Sequence, residues 1–194
     1  MSAPIKLNLK IYQGSTFKQV LRWESSTKVY VPITAITKSA PVVITAEAHE
    51  IPLGWRARVT NVAGMKEINN IDYQTVTSKT ANTVTFNQIN SLGYSTYTGG
   101  GVLEYNKPAY LDGYTARMQV REKLTSYEVI LEATTENGGI LIDPVDSTIT
   151  IYLTDEDTAA LNFTQAVYSL EVIKNGETTP FLAGSVTLQR EVTR

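Results

Sequence analysis

His49 is the chain's one histidine, and the chain contains no cysteine. These two facts bound the available chemistry. Disulfides, zinc-thiolate sites and cysteine nucleophiles are excluded, a multi-histidine metal centre is excluded, and a Ser-His-Asp triad would have to rest on His49 alone. A single imidazole between Ala48 and Glu50 has few routes to general-base or ligand chemistry. It is read as a structural ring that closes one end of a β module and hydrogen-bonds backbone.

The acidic run Asp155-Glu156-Asp157, taken with Asp143 and Asp146, offers the oxygen ligands calcium prefers. The spacing of an EF-hand loop is missing, and a helix start explains the run more simply. Thr154 is the N-cap, the three acids lie in the first turn where they favour the helix dipole, and Ala159-Ala160-Leu161 supplies an apolar side. Asp157 stands in the reach-back position of a capping box, where Glu or Gln is usual. Thr98-Gly99-Gly100-Gly101 has the glycines of a phosphate loop but is followed by Val102 and Leu103 instead of Lys and Ser or Thr, so it reads as a tight turn. No acid-base pair or nucleophile constellation stands out, although paired carboxylates for glycoside hydrolysis can be assembled in space from distant positions. The expectation is no enzyme, no catalytic residue, no cofactor and no metal.

The aromatic residues suggest a surface instead. Tyr94, Tyr97, Tyr105, Tyr110 and Tyr114 cluster in sequence, and with Trp55 they form the candidate interface. Tyrosine supplies contact area with a polar tip, which suits protein interfaces and sugar stacking. The competing reading is that several of them cover a seam between two modules.

These residues must be held by strands. Ile5, Leu7, Leu9 and Ile11 alternate with Lys6, Asn8 and Lys10, the period of a half-buried strand. Gly14-Ser15 is a turn and Phe17 to Trp23 a return strand, which together predict a hairpin; Ser25-Ser26-Thr27-Lys28 is read as a further turn. From Ile33 the texture changes to short strands with frequent turn signals: Pro41 to Thr45, Leu53 to Val59, Tyr73 to Thr77, Asn82 to Phe86, and Thr98 to Tyr105. After Pro108 the first texture resumes, with strands near 113–121, 128–131, 139–144, 147–153, 168–173 and 184–188. The expected fold is all-β: an antiparallel immunoglobulin-like sandwich of residues 1–32 plus 106–194, with a small β-barrel, residues 33–105, inserted near the N-terminus.

At 194 residues and 42% hydrophobic, the chain has material for one good core or two small ones. Its formal net charge of −2 gives no basic field for nucleic acid. No stretch spans a bilayer or forms a signal peptide, so a soluble protein made in a cytoplasm is expected. Residues 1–32 carry Lys6, Lys10, Lys18, Arg22 and Lys28 against Glu24 alone, while 106–194 is acidic. This asymmetry is a patch for an acidic partner or, in the preferred reading, a basic hairpin packed beside acidic C-terminal strands.

The stretch 110–194 resembles a set of tailed-phage structural proteins. The resemblance is carried by 111–121 (Leu-Asp-Gly-Tyr-Thr-Ala-Arg-Met-Gln-Val-Arg), Thr135-Glu136-Asn137-Gly138-Gly139-Ile140, Ala166 to Glu171 and Gly184 to Leu188. Tyr12-Gln13-Gly14-Ser15-Thr16-Phe17 followed by Trp23 is similar to their opening hairpin. The middle resembles the first catalytic-cysteine half-domain of ubiquitin-activating enzymes, through Ala46-Glu47-Ala48-His49, Gly54, Val62 to Met65, Ile68-Asn69, Tyr73, Asn82-Thr83-Val84, Gly93-Tyr94, Tyr97 and Gly99 to Val102. Glu50 stands where similar sequences have glycine. That half-domain does not carry the nucleophile, so no ubiquitin chemistry is implied.

The resemblance implies a virion structural protein. It would be a tail, baseplate or collar adaptor that docks on a ring and helps attach fibres or neighbouring subunits. Its partners would be other virion proteins in a homo-oligomeric ring, with no nucleic acid and no membrane. The alternatives are a capsid decoration protein and a carbohydrate-binding module that contacts a host glycan. The latter requires Trp55 and some of the tyrosines to line a shallow exposed groove.

Overall fold

Thr115–Arg121 alternates outward and buried side chains, and Ala116, Met118 and Val120 form its inward face. Gln165–Lys174 does the same with Ala166, Tyr168, Leu170 and Val172. In register, Met118 lies opposite Leu170 and Leu170 opposite Leu182, a buried row across three strands. Each such side chain withdrawn from water contributes about 1.5–3 kcal/mol. This period-two pattern is what makes the chain all-β.

The computed structural model describes residues 3–191. The chain divides into two compact units. One takes in the chain up to Leu21, then Leu111–Pro144 and the chain from Thr148 onward; the other is Arg22–Tyr110 with Val145–Ser147.

In the first unit a six-stranded sheet runs Leu131–Thr134, Thr115–Arg121, Gln165–Lys174, Glu177–Gln189, and beyond it both Ile5–Lys6 and Leu9–Tyr12. A three-stranded sheet holds Ile140–Asp143, Thr148–Leu153 and Phe17–Arg22. Ile149, Ile151 and Leu153 are buried from this second sheet, which completes a sandwich-like arrangement.

The expected hairpin is not formed. Leu9–Tyr12 pairs with Glu177–Gln189, in parallel, while Phe17–Arg22 joins the other sheet. The turn closed by the Ser15 N–H on the Tyr12 carbonyl (3.3 Å) therefore leads from one sheet to the other. Ile5–Lys6 is also parallel to Glu177–Gln189, so the expectation of a purely antiparallel sandwich is corrected at this edge. The short helix Asp155–Ala159 begins as its sequence implies, and Asp157 does complete the capping box: its carboxylate accepts the Thr154 N–H at 2.9 Å while its own N–H reaches the Thr154 hydroxyl at 3.1 Å. The buried Thr158 hydroxyl ties this helix to the Ser15 carbonyl at 2.9 Å.

The second unit consists of two four-stranded sheets. One orders Ala35–Ile36, Val42–Thr45, Thr83–Phe86 and Ser78–Lys79; the other orders Glu24–Pro32, Gly99–Pro108, Arg56–Ala63 and Gln74–Thr75. Ile44, Val84 and Phe86 from the first share one core with Val59, Leu103 and Tyr105 from the second and with Trp55, which precedes Arg56–Ala63. The barrel expectation is corrected here. The chain crosses between the sheets at Ile33–Thr34 and Val76–Thr77, but closure needs an unbroken ladder around the circumference, and two-residue edge strands do not supply one.

The division also falls outside the expected 33–105 limits. Residues 25–28, read as a turn, lie inside the nine-residue strand Glu24–Pro32, which pairs with Gly99–Pro108. A polar edge strand needs only one apolar face, here Val29 and Val31, so composition disguised it. On the other side of Gly99–Pro108, Gly101 at φ +89° lets Arg56–Ala63 approach closely, because a Cβ there would lie 2.5 Å from the Val62 side chain.

Candidate functional site

The Glu24–Pro32, Gly99–Pro108, Arg56–Ala63 and Gln74–Thr75 sheet turns its odd-numbered residues Val29, Val31, Leu103, Tyr105, Ala57 and Val59 to the core. Period two then puts Lys28, Tyr30, Glu104, Asn106, Arg56 and Arg58 on the other face. Arg58 lies directly opposite Glu104 in the ladder.

Glu104 is nearly inaccessible, 5% exposed, although it lies on this outer face. Arg58 grips its carboxylate through two nitrogens, Nε at 3.1 Å and Nη2 at 3.0 Å. The Tyr73 hydroxyl donates to Oε1, and the Lys28 ammonium lies 3.4 Å away. Lys28 also donates to the Tyr73 hydroxyl. The Tyr73 ring carries both cations, the Lys28 nitrogen 4.6 Å and the Arg58 guanidinium 5.1 Å from its centre. Beside this cluster, Glu24 accepts from Arg56 at 2.9 Å and from the Asn106 amide at 2.7 Å, with Arg22 3.9 Å away. Arg22 in turn donates to the Gly54 carbonyl.

Burial pushes the Glu104 carboxyl up, but the hydrogen bonds from Tyr73, Arg58 and Lys28 outweigh it, and the net displacement is below the usual carboxylate range. Glu24 behaves alike: burial raises it, and Arg56 with Asn106 brings it below. Both carboxylates are thus ionised at neutral pH with their oxygens engaged, the opposite of an acid-base group poised near 7. What the face offers is a fixed pattern of charge and hydrogen-bonding groups. In a carboxyl-carbon NMR titration, Tyr73→Phe should move the Glu104 midpoint upward towards its ordinary value and leave Glu24 in place; an unmoved Glu104 would mean the hydroxyl contributes nothing.

The basic residues Arg22 and Lys28 find their carboxylates, Glu24 and Glu104, inside the second unit. For these two the expected pairing with acidic C-terminal strands is replaced by local pairing.

His49 is buried, and its bonds are to backbone. Nδ1 accepts the Ile51 N–H at 3.1 Å, and Nε2 faces the Thr83 carbonyl at 3.1 Å. An acceptor at Nδ1 requires the neutral ring with its proton on Nε2. Burial, with the Lys79 charge adding to it, holds the imidazole below its ordinary range. The turn keeps Glu50 at φ +51°, a left-handed conformation that favours glycine.

The sign of the pH effect follows. The unfolded state takes up the proton first, so the stability owed to His49 is complete above the unfolded value of about 6.5 and falls as pH drops below it, by up to ~1.4 kcal/mol per pH unit until the folded ring protonates. Urea unfolding between pH 7.5 and 5 should show this loss in the wild type. His49→Ala should be less stable throughout and lack the slope; a retained slope would assign it elsewhere.

The residues expected to form an interface are dispersed. Trp55 is 0% exposed, and its indole N–H donates to the Asn106 carbonyl at 2.8 Å. Tyr105 is also a core residue; its hydroxyl donates to the His49 carbonyl, and burial pushes it up to about 12. Tyr94 and Tyr97 pack partly against the same core, Tyr97 donating to the carbonyls of Ile33 (2.9 Å) and Gly100 (3.0 Å). Tyr110 is exposed, and Tyr114 is half-buried with the Lys174 ammonium 4.7 Å from its ring. Trp55 and Tyr105 are therefore corrected from interface to core, and Trp55 is unavailable to the exposed groove a carbohydrate-binding reading needs.

Among the described residues no group of three or more His, Asp and Glu is placed to hold a metal, and no helix is long and apolar enough to cross a membrane. Asp155 and Glu156 serve the helix start. The glycines at 99–101 open a strand. Sequence reading missed the Glu104 cluster, whose signal was present: Arg56 and Arg58 at one period on one strand, Glu104 and Asn106 on another. It also missed Asn137. The edge strand Leu131–Thr134 turns the Thr134 N–H and the Glu132 carbonyl outward, and the Asn137 amide takes both, at 2.8 and 3.0 Å. Those two outward groups are thereby withheld from an added strand.

No protein-family model matches the chain, and no curated protein matches it.

Proposed function

We propose that the chain is a non-enzymatic structural component of a tailed-phage virion: a tail, baseplate or collar adaptor that docks on a ring of subunits and helps attach fibres or neighbouring subunits. The observation that carries this reading is how the resemblances fall on the two units. Except for Trp23, the segments similar to virion sandwich proteins, 12–17, 111–121, 135–140, 166–171 and 184–188, lie in the first unit, and those similar to the catalytic-cysteine half-domain, between 46 and 102, lie in the second. A sandwich interrupted by a second β unit is the organisation those resemblances imply. The engaged state of Glu24 and Glu104 supports a role in contact over one in chemistry. Its partners are other virion proteins, and it is assembled into particles in the host cytoplasm.

Locating the chain in a cryo-EM map of the intact particle tests this. Density in a ring at the tail, baseplate or collar is the expected result. Density on the capsid surface would replace the adaptor with a decoration protein, and absence from purified particles would overturn the virion reading.

A further inference from the structure

The loop joining Thr115–Arg121 to Leu131–Thr134 holds two apolar side chains in water. Tyr127 is 97% exposed and Leu124 89%. The loop is braced. Arg121 donates from Nη1 to the carbonyls of Ser126 (2.8 Å) and Tyr127 (2.7 Å), and from Nη2 to Gln119 Oε1 (2.8 Å). The Ser126 N–H closes a turn onto the Lys123 carbonyl at 3.0 Å, and the Ile130 N–H bonds the Val120 carbonyl at 2.9 Å. A fixed backbone presenting a bare aromatic loses little freedom when that ring is buried by a partner.

Leu124 also lines a largely apolar groove of about 610 Å³, floored by Val167 and Ala183 and edged by Lys6 and Asn8. On the loop's other flank, Tyr127 lines a depression of about 830 Å³ with Glu122 and Glu128. An apolar projection and an apolar groove thus adjoin on the same unit, one bordered by carboxylates and the other by a lysine. The projection of one copy matches the groove of another in apolar character and in charge, and a two-fold rotation makes that seating reciprocal.

We propose that this surface binds a second copy of the chain, the Tyr127 ring of each copy seated in the Val167–Ala183 groove of the other, with Lys6 of one facing Glu128 of the other. The inference does not depend on the virion reading, because purified protein outside any particle should show it.

Sedimentation velocity of the whole chain, from low micromolar to submillimolar concentration, should show a reversible dimer. Tyr127→Ala should weaken it by about 30-fold or more, the scale of an aromatic hot spot, and an unchanged circular dichroism spectrum would show that the exposed substitution leaves folding alone. Lys6→Glu should weaken the dimer, and Lys6→Glu combined with Glu128→Lys should restore it. Because the chain has no cysteine, mixing Tyr127→Cys with Ser185→Cys under mild oxidation should give the mixed disulfide. A monomer at every concentration would overturn the proposal and leave the loop to a different protein or a small ligand. A dimer indifferent to Tyr127→Ala would also overturn it.

Discussion

Trp55→Ala is expected to cost the second unit about 3–5 kcal/mol, the range for emptying a large aromatic site in a packed core. The indole is fully enclosed among Ile44, Val84, Phe86, Leu103 and their neighbours. It also supplies a bond the ladder lacks. The register between Gly99–Pro108 and Arg56–Ala63 ends at Tyr105 opposite Ala57, and the indole N–H takes the next outward carbonyl, that of Asn106. The alanine variant therefore leaves a cavity and an unsatisfied acceptor together. Trp55→Phe should separate the two, retaining most of the packing and losing about 1 kcal/mol for the hydrogen bond. Because two compact units need not unfold together, hydrogen exchange followed by peptide is the measurement. Protection should fall across 22–110, and an equal fall in 111–144 would show that one cooperative unit spans the whole chain.

Gly184→Val should destabilise the first unit by about 3 kcal/mol, at the upper end of ordinary overpacking. A Cβ at Gly184 would lie 2.0 Å from the Leu7 carbonyl oxygen and 2.8 Å from its carbon, and backbone cannot rotate away as a side chain does. Leu7 is fixed from several sides. Its N–H donates to the Ala183 carbonyl at 3.0 Å, its carbonyl accepts the Tyr168 hydroxyl at 2.8 Å, and the neighbouring Asn8 side chain accepts the Ser185 N–H at 3.2 Å. The substitution should lift the parallel edge strands first, so exchange should rise at 3–12 before the rest of the sheet responds. Full protection of that segment in the variant would contradict the close approach.

Individual strands were legible where burial is one-sided. Met118 and Leu170 sit in strands whose alternation names the inward face without help from any partner. Pairing was not legible. Ile5, Leu7, Leu9 and Ile11 alternate as a strand should, yet the chain breaks between Ile5–Lys6 and Leu9–Tyr12, and Ile5 is largely exposed. Alternation says which face of a strand is apolar; it does not say which neighbour supplies the hydrogen bonds. The strand Glu24–Pro32 illustrates the same limit, because its pairing with Gly99–Pro108 links residues far apart in sequence.

The candidate site divides along similar lines. The structural role of His49 could be reasoned from its isolation, and the helix start from Thr154 and its acids, because both arguments rest on what is absent nearby or on local spacing. Trp55 and Tyr105 could not be placed, because an aromatic ring suits a core and an interface equally and only the three-dimensional packing chooses between them.

The sequence alone determined the all-β class, through period two and turn residues. It also removed thiol and multi-histidine chemistry, through the absence of cysteine and the single histidine. The tertiary structure alone decided that Leu9–Tyr12 lies parallel to the C-terminal strand, that Arg22 and Lys28 meet Glu24 and Glu104, and that Tyr127 is left in water while Trp55 is enclosed. Composition and periodicity are local properties that each segment carries with it. Partner choice, charge pairing and exposure are properties of distant segments brought together, and they exist only once the sheets have formed.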